Sequence, residues 1–171
     1  MNAERDAMEI RKVCEGDDRR AIAEIYKTAW QFAYSGIVPQ EYLDSLSADR
    51  WLPLFDEKSI ESFVLIEDGE YIGTSAVCAS RDESLAGWGE LVSIYLLPAH
   101  FGCGGALLLL NHALDSLFKK GFTVVYLEVL EENCRARRFY EKHGFVQFSQ
   151  TVSTDVGGKS LGTVRYKKHF E

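Results

Sequence analysis

The segment ELVSIYLLPAHFGCGGALLLLNHALDSLFK, running from Glu90 to Lys119, constrains the fold more than any other part of the chain. It reads as a strand with apolar residues on both faces, then a turn rich in glycine, then a long apolar-faced helix. A strand apolar on both faces belongs inside a sheet, covered by helices on both sides. Gly102, Gly104 and Gly105 fall where the chain must turn from strand into helix. Lacking Cβ, glycine lets the backbone bend sharply and come close to a ligand. The amides of such a turn point outward together with the first free N–H groups of the helix. That arrangement suits a phosphate or diphosphate.

The remaining pattern extends this unit in both directions. Met8–Val13 alternates apolar and polar residues and predicts a first strand. Asp17 or Asp18 can cap a helix to about Tyr34, with Ile22, Ile25, Tyr26 and Ala29 on one face. Pro39 opens a short helix through Leu46, and Ser47–Phe55 predicts another helical piece. Phe63–Ile66 and Tyr71–Val77 form a hairpin around Asp68-Gly69, and Arg81–Gly87 is a turn. The helix from about Gly104 to Lys120 is expected to bury Leu107, Leu110, Leu114, Leu117 and Phe118. Thr123–Leu130 is the next strand, completing a right-handed βαβ unit. Asn133 caps a helix ended by Gly144, and Phe145–Val152 with Leu161–Lys168 predicts a last hairpin around Gly157-Gly158. No repeat or linker divides the 171 residues, so one α+β domain spanning 1–171 is expected.

Composition excludes some function classes. A net charge of −7 argues against a nucleic-acid partner, which needs clustered Lys and Arg, and favours cationic small molecules. No apolar run approaches the roughly 18 residues of a membrane span, and the charged opening MNAERDAMEIRK carries no secretory signal. The four cysteines are scattered, without a CxxC pair, which fits free thiols in the cytoplasm better than disulfides or a metal site.

Two phosphate motifs fail on context. Gly158-Lys159-Ser160 lacks the earlier P-loop glycine, since position 153 is Ser153, and a strand rather than a helix follows. A dinucleotide fingerprint starting at Gly102 would place its third glycine where Leu107 stands, and too little chain follows for a doubly wound sheet.

A third pattern fits more residues. The run Tyr95-Leu-Leu-Pro98 followed by Phe101-Gly-Cys-Gly104-Gly-Ala106 resembles the acetyl-CoA signature of the GNAT superfamily of N-acetyltransferases, Arg/Gln-x-x-Gly-x-Gly/Ala. Gly104 and Ala106 match; Phe101 stands where relatives carry Arg or Gln. The second signature, Asn-x-x-Ala-x-x-Phe-Tyr-x-x-x-Gly-Phe, is met by Asn133, Ala136, Phe139, Tyr140, Gly144 and Phe145. The resemblance covers Phe63 to the C-terminus and, before it, only the order of elements.

It implies a mixed, mainly antiparallel sheet of seven strands with helices on both faces and two parallel strands splayed apart. It implies acetyl-CoA as cosubstrate and no metal. Pantetheine would lie along Ile94, Tyr95 and Leu96, and the diphosphate on Phe101, Gly102, Cys103, Gly104, Gly105 and Ala106, with Asn133 bonding the pantetheine arm. Tyr140 would protonate the departing thiolate, and Glu90 would take the amine proton, directly or through water. A lysine-like amine has a pKa of about 10.4, so roughly one molecule in 2,500 is neutral at pH 7. Trp30, Tyr34 and Tyr42 are read as acceptor-side residues favouring a cationic or aromatic amine. A protein lysine or N-terminus as acceptor, and a non-catalytic acyl-CoA sensor, are the alternatives. The oligomeric state is left open, a homodimer included. A cation restored by Phe101→Arg is expected to tighten acetyl-CoA binding.

Overall fold

The structure is a computed structural model that describes residues 8–171; the first seven residues of the charged opening lie outside it. Eight strands form one sheet: β1 (Glu9–Lys12), β2 (Glu61–Glu67), β3 (Glu70–Ala79), β4 (Gly89–Leu96), β5 (Val124–Leu130), β6 (Val146–Gln147), β7 (Val152–Val156) and β8 (Lys159–His169). Their order is β1-β2-β3-β4-β5-β8-β6, with β7 also on β8. All pairings are antiparallel except β4 with β5.

The helices are α1 (Arg19–Ala33), α2 (Gln40–Ser45), α3 (Gly105–Lys119) and α4 (Cys134–Lys142), with a 3-10 segment at Ala48–Asp56. Asp18 caps α1 through the Ala21 N–H. The buried face of α1 carries Ile22, Ala23, Ile25, Tyr26 and Ala29. Ile22 and Tyr26 pack with Val64, Trp51, Leu54 and Phe55 on one face of the sheet. On the other face, Leu110, Ala113 and Leu117 of α3 pack with Phe63, Val77, Leu91, Val125, Leu127 and Val164. Helices thus cover both faces.

Two sequence expectations change in detail. The buried stripe of α3 is Gly105, Leu109, Leu110, Ala113 and Leu117; Leu107 and Phe118 are 38% and 54% exposed. The leucines Leu107–Leu110 run right round one turn, so that stretch alone does not single out a face, while Phe118 lies on the polar side marked by Asn111, Asp115 and Lys119. The stretch Phe145–Val152 is not one strand: it divides into β6 and the start of β7, both laid against β8. Among the described residues the sheet therefore has eight strands rather than seven.

The feature that positions the site is the β4–β5 pair. Parallel pairing covers only Gly89 with Val125 and Glu90 with Tyr126. Beyond that point the two strands part. On the β3 side, Leu91 faces Val77 and Ser93 faces Ala76, so Val92 is an extra residue in β4. Such a bulge bends its strand and increases its twist. It turns the rest of β4 away from β5 and opens a gap inside the sheet.

Candidate active site

A cavity of about 470 Å³ occupies this gap. One wall is Ile94, Tyr95 and Leu96 of β4; the opposite wall is Asn133, Arg135, Ala136, Phe139, Tyr140, Lys142 and His143, from the start of α4 to just past its end. Phe101, Gly102, Gly104, Ala106 and Leu107 close one end, and Ala29, Ala33 and Tyr34 close the α1 side. The structure therefore brings together most residues singled out from the sequence.

The turn owes its shape to glycine. Gly102 and Gly104 have φ of +83° and +89°, left-handed values costly for other residues, and nothing lies within 4 Å of where their Cβ atoms would stand. Gly104, at the N-cap of α3, has no side chain to offer, so the helix start is capped only at the Gly105 N–H, by the sulfur of Cys103. Gly105 differs: a Cβ there would come 2.8 Å from Leu65 Cδ2 and 3.1 Å from Leu96 Cδ1, so it permits close packing of helix on sheet. Neither Gly105 nor Cys103 lines the cavity; Cys103 Sγ instead accepts the Gly105 N–H at 3.3 Å.

Asn133 combines two positions: it caps α4 through the Ala136 N–H at 3.3 Å and lines the cavity. Tyr140 lies on the same wall, two turns on. Burial pushes its phenol well above the ordinary tyrosine range, and nearby Tyr34 adds to this. It is therefore a protonated hydroxyl at neutral pH, able to donate.

Glu90 is placed differently. It stands where β4 and β5 are still paired, and it does not line the cavity. Its carboxylate accepts from Arg81 Nη2 at 2.5 Å, from the Arg81 backbone N–H at 3.1 Å and from Tyr126 Oη at 2.9 Å. Burial pushes the carboxyl up, but the bonds from Arg81 and Tyr126 outweigh it and hold it below its usual range. The same environment raises Tyr126 to about 12, burial being the larger cause. Glu90 is thus ionised and engaged rather than free.

Of the aromatic trio, only Tyr34 lines the cavity. Trp30 meets Tyr34 edge-on at 4.8 Å and donates its indole N–H to Tyr95 Oη at 2.9 Å. The cationic partner of these rings is already present: the Arg50 guanidinium lies 5.5 Å from the Trp30 ring, 5.7 Å from Tyr42 and 5.9 Å from Trp51, and bonds the Tyr42 hydroxyl. Trp30 thus stands behind the wall residues Tyr34 and Tyr95, and Arg50 lies against the Trp30 and Tyr42 rings.

Sequence reading missed Arg135, Lys142 and His143. Helical spacing carries the signal: Ala136, Tyr140 and His143 share a stripe at i, i+4, i+7, with Arg135, Phe139 and Lys142 one residue behind.

The glycine turn, the start of α3, the unpaired inner edge of β4 and the cations Arg135 and Lys142 on one wall fit a long, phosphorylated donor such as acetyl-CoA. Comparison with known proteins agrees. The profile of the acetyltransferase (GNAT) family matches residues 19–145. An uncharacterized N-acetyltransferase of Mycobacterium tuberculosis is 36% identical over 133 residues, 75% of this chain and 83% of that protein. Spermidine N(1)-acetyltransferase of Thermoplasma acidophilum is 28% identical over 145 residues, 81% of this chain and 88% of that protein. The crystal structure of the PaiA N-acetyltransferase of the same organism, in complex with coenzyme A, superposes with a TM-score of 0.75 at 25% identity, covering 96% of this chain and 99% of that one. Family profile, relatives and fold converge with the cavity in the split sheet: the chain belongs to the GNAT family of acetyltransferases.

Proposed function

We propose that this acetyltransferase passes the acetyl group of acetyl-CoA to a primary amine of a small, positively charged acceptor. One observation carries the acceptor class: the similarity to a spermidine acetyltransferase, which extends over 88% of that protein. The net charge of −7 supports it, because a negative field concentrates cations. If Tyr42 is an acceptor-side residue, a small acceptor rather than a protein chain is favoured by the β7–β8 turn, which presses on Tyr42 and is tied down by Lys159 Nζ donating to the Ile37 carbonyl at 2.9 Å. The free thiols fit a reducing compartment such as the cytoplasm.

In the reaction a C–N bond forms, the thioester C–S bond breaks and the amine loses one proton. Acetyl-CoA supplies the activated acyl group; the protein aligns it and moves protons. Tyr140 is the proposed donor to the departing sulfur, from the cavity wall. Glu90 is the proposed acceptor of the amine proton, through an intervening water because its carboxylate lies outside the cavity lining.

The test is a panel of amines with acetyl-CoA, read by free-thiol release. Spermidine and related polyamines are expected to show the highest kcat/KM. An acidic amino acid or a lysine peptide as best acceptor would overturn the proposal.

A further inference from the structure

The turn that closes the cavity carries a phenylalanine at the position where the matching signature has Arg or Gln. The space over that phenylalanine is filled. Arg135, in the first turn of α4, holds its guanidinium carbon 3.5 Å from the centroid of the Phe101 ring. Phe32 packs edge-on against the same ring, with centroids 5.3 Å apart and planes at 67°. Phe101 and Arg135 both line the cavity. The ion pairs among the described residues do not include Arg135.

A guanidinium without a carboxylate partner, stacked on a ring at the mouth of a cavity, is preorganised for an anion. Stacking holds a long side chain in one place, and the planar fork matches two phosphate oxygens. The glycine turn stands at the same end of the cavity, and those of its amides not already bonded to His100 or Cys103 can also take an anion. Lys142, the other α4 cation on this wall, lies seven residues further on, about 10 Å along the helix, and so away from the turn.

We propose that Arg135, seated on Phe101, is the cation that binds the 5′-diphosphate of the donor, acting from α4 in place of the missing side chain on the turn. Phe101 is then its platform and not a gap. The inference rests on the acetyl-CoA reading of the cavity and reverses the sequence expectation for Phe101→Arg. A new arginine there would remove the platform and set two guanidiniums side by side, so it should weaken binding.

The test is calorimetric affinity for acetyl-CoA, 3′-dephospho-CoA and pantetheine. Arg135→Ala is expected to weaken the first two by a similar factor, roughly 10- to 100-fold, the range for a charge-assisted hydrogen bond. Pantetheine, without phosphates, should bind both proteins equally. Arg135→Gln keeps most of the stem and should show the same pattern, which separates charge from packing. Phe101→Ala should cost less, about 2- to 5-fold, as expected for loss of an exposed cation–π contact. Unchanged affinity for dephospho-CoA with weakened acetyl-CoA would assign Arg135 to the 3′-phosphate and overturn the proposal. So would unchanged affinity for both, or tighter binding by Phe101→Arg. Failure of the donor reading itself looks different: Gly104→Glu would then keep its acetyl-CoA affinity.

Discussion

Arg81 covers Glu90. The arginine side chain is 57% exposed and the carboxylate beneath it 8% exposed, with 2.5 Å between Nη2 and Oε1. Arg81 therefore sets the proton affinity of Glu90, since burial alone would raise it. If Glu90 accepts the amine proton, Arg81→Met should raise its pKa and shift the acidic limb of the kcat/KM profile to higher pH. Glu90→Gln should lower turnover at pH 7, with a defect that shrinks as pH rises and free amine appears unaided. Full turnover of Glu90→Gln at pH 7 would leave the pair a structural one.

Tyr140 is expected to matter less than a base. A thiol of pKa about 8.5 leaves without much help, so Tyr140→Phe should cost near the low end of the roughly 10²–10⁴ range of general acid–base catalysis. Acetyl-CoA affinity should stay nearly constant, because only a hydroxyl is lost. Turnover and calorimetry on the same variant separate the two effects. A loss of affinity as large as the loss of rate would make Tyr140 a binding residue.

Gly104→Glu places a carboxylate in the open space of the turn, where nothing now lies within 4 Å of a Cβ. Its φ of +89° adds a strain of roughly 1–2 kcal/mol, too little to unfold a typical domain. Acetyl-CoA should raise the melting temperature of the parent protein and not of this variant. An equal rise in both would place the donor elsewhere.

Asp17 should govern acid stability at the other end of the molecule. Its buried carboxylate accepts from both terminal nitrogens of Arg11 at 2.9 and 2.7 Å, from the Cys14 N–H at 2.8 Å and from Tyr71 Oη at 2.9 Å. The Arg11 bonds are foremost in holding it well below the usual range, against the opposing effect of burial. A depressed carboxyl contributes stability above its unfolded pKa, about 3.9, and loses it as pH falls. Asp17→Asn should therefore cost about 2 kcal/mol at pH 7, less than a fully buried pair because Arg11 is partly exposed. The difference from the parent should shrink below about pH 4. Thermal melts across pH would show this; a constant difference would mean the charge is irrelevant.

Local order was legible in the sequence, and partnerships across the chain were not. The strand–glycine–helix unit is written in adjacent residues, and the family resemblance singles out Ile94 to Leu96, Gly102, Gly104, Ala106, Asn133 and Tyr140, all of which line the cavity. Leu107 is misplaced because the four consecutive leucines Leu107–Leu110 circle a whole turn of α3, whereas the exposure of Phe118 follows from the polar stripe Asn111, Asp115 and Lys119 beside it. The division of Phe145–Val152 depends on register against β8, which no local pattern encodes. Glu90 reads from the sequence as an available carboxylate because nothing local shows Arg81 folding back over it. Phe101 reads as a deficit for the same reason: its compensating residue is 34 positions away. Side chains that act in pairs become visible only once the fold has brought the pair together.

The joint between Gly157 and Tyr42 has a consequence for engineering. A Cβ at position 157 would stand 2.6 Å from Tyr42 Cγ, so only glycine lets the β7–β8 turn sit this close. The donor cavity is built mainly from one stretch, residues 94–143, and takes nothing from this joint. Gly157 also has a φ of +61°, a left-handed value, so a side chain there meets backbone strain as well as Tyr42. Alanine or serine there would push the turn and Tyr42 apart at the cost of that strain, giving a library designer a single position that sets how closely the β7–β8 turn closes on Tyr42 without altering any residue that lines the donor cavity.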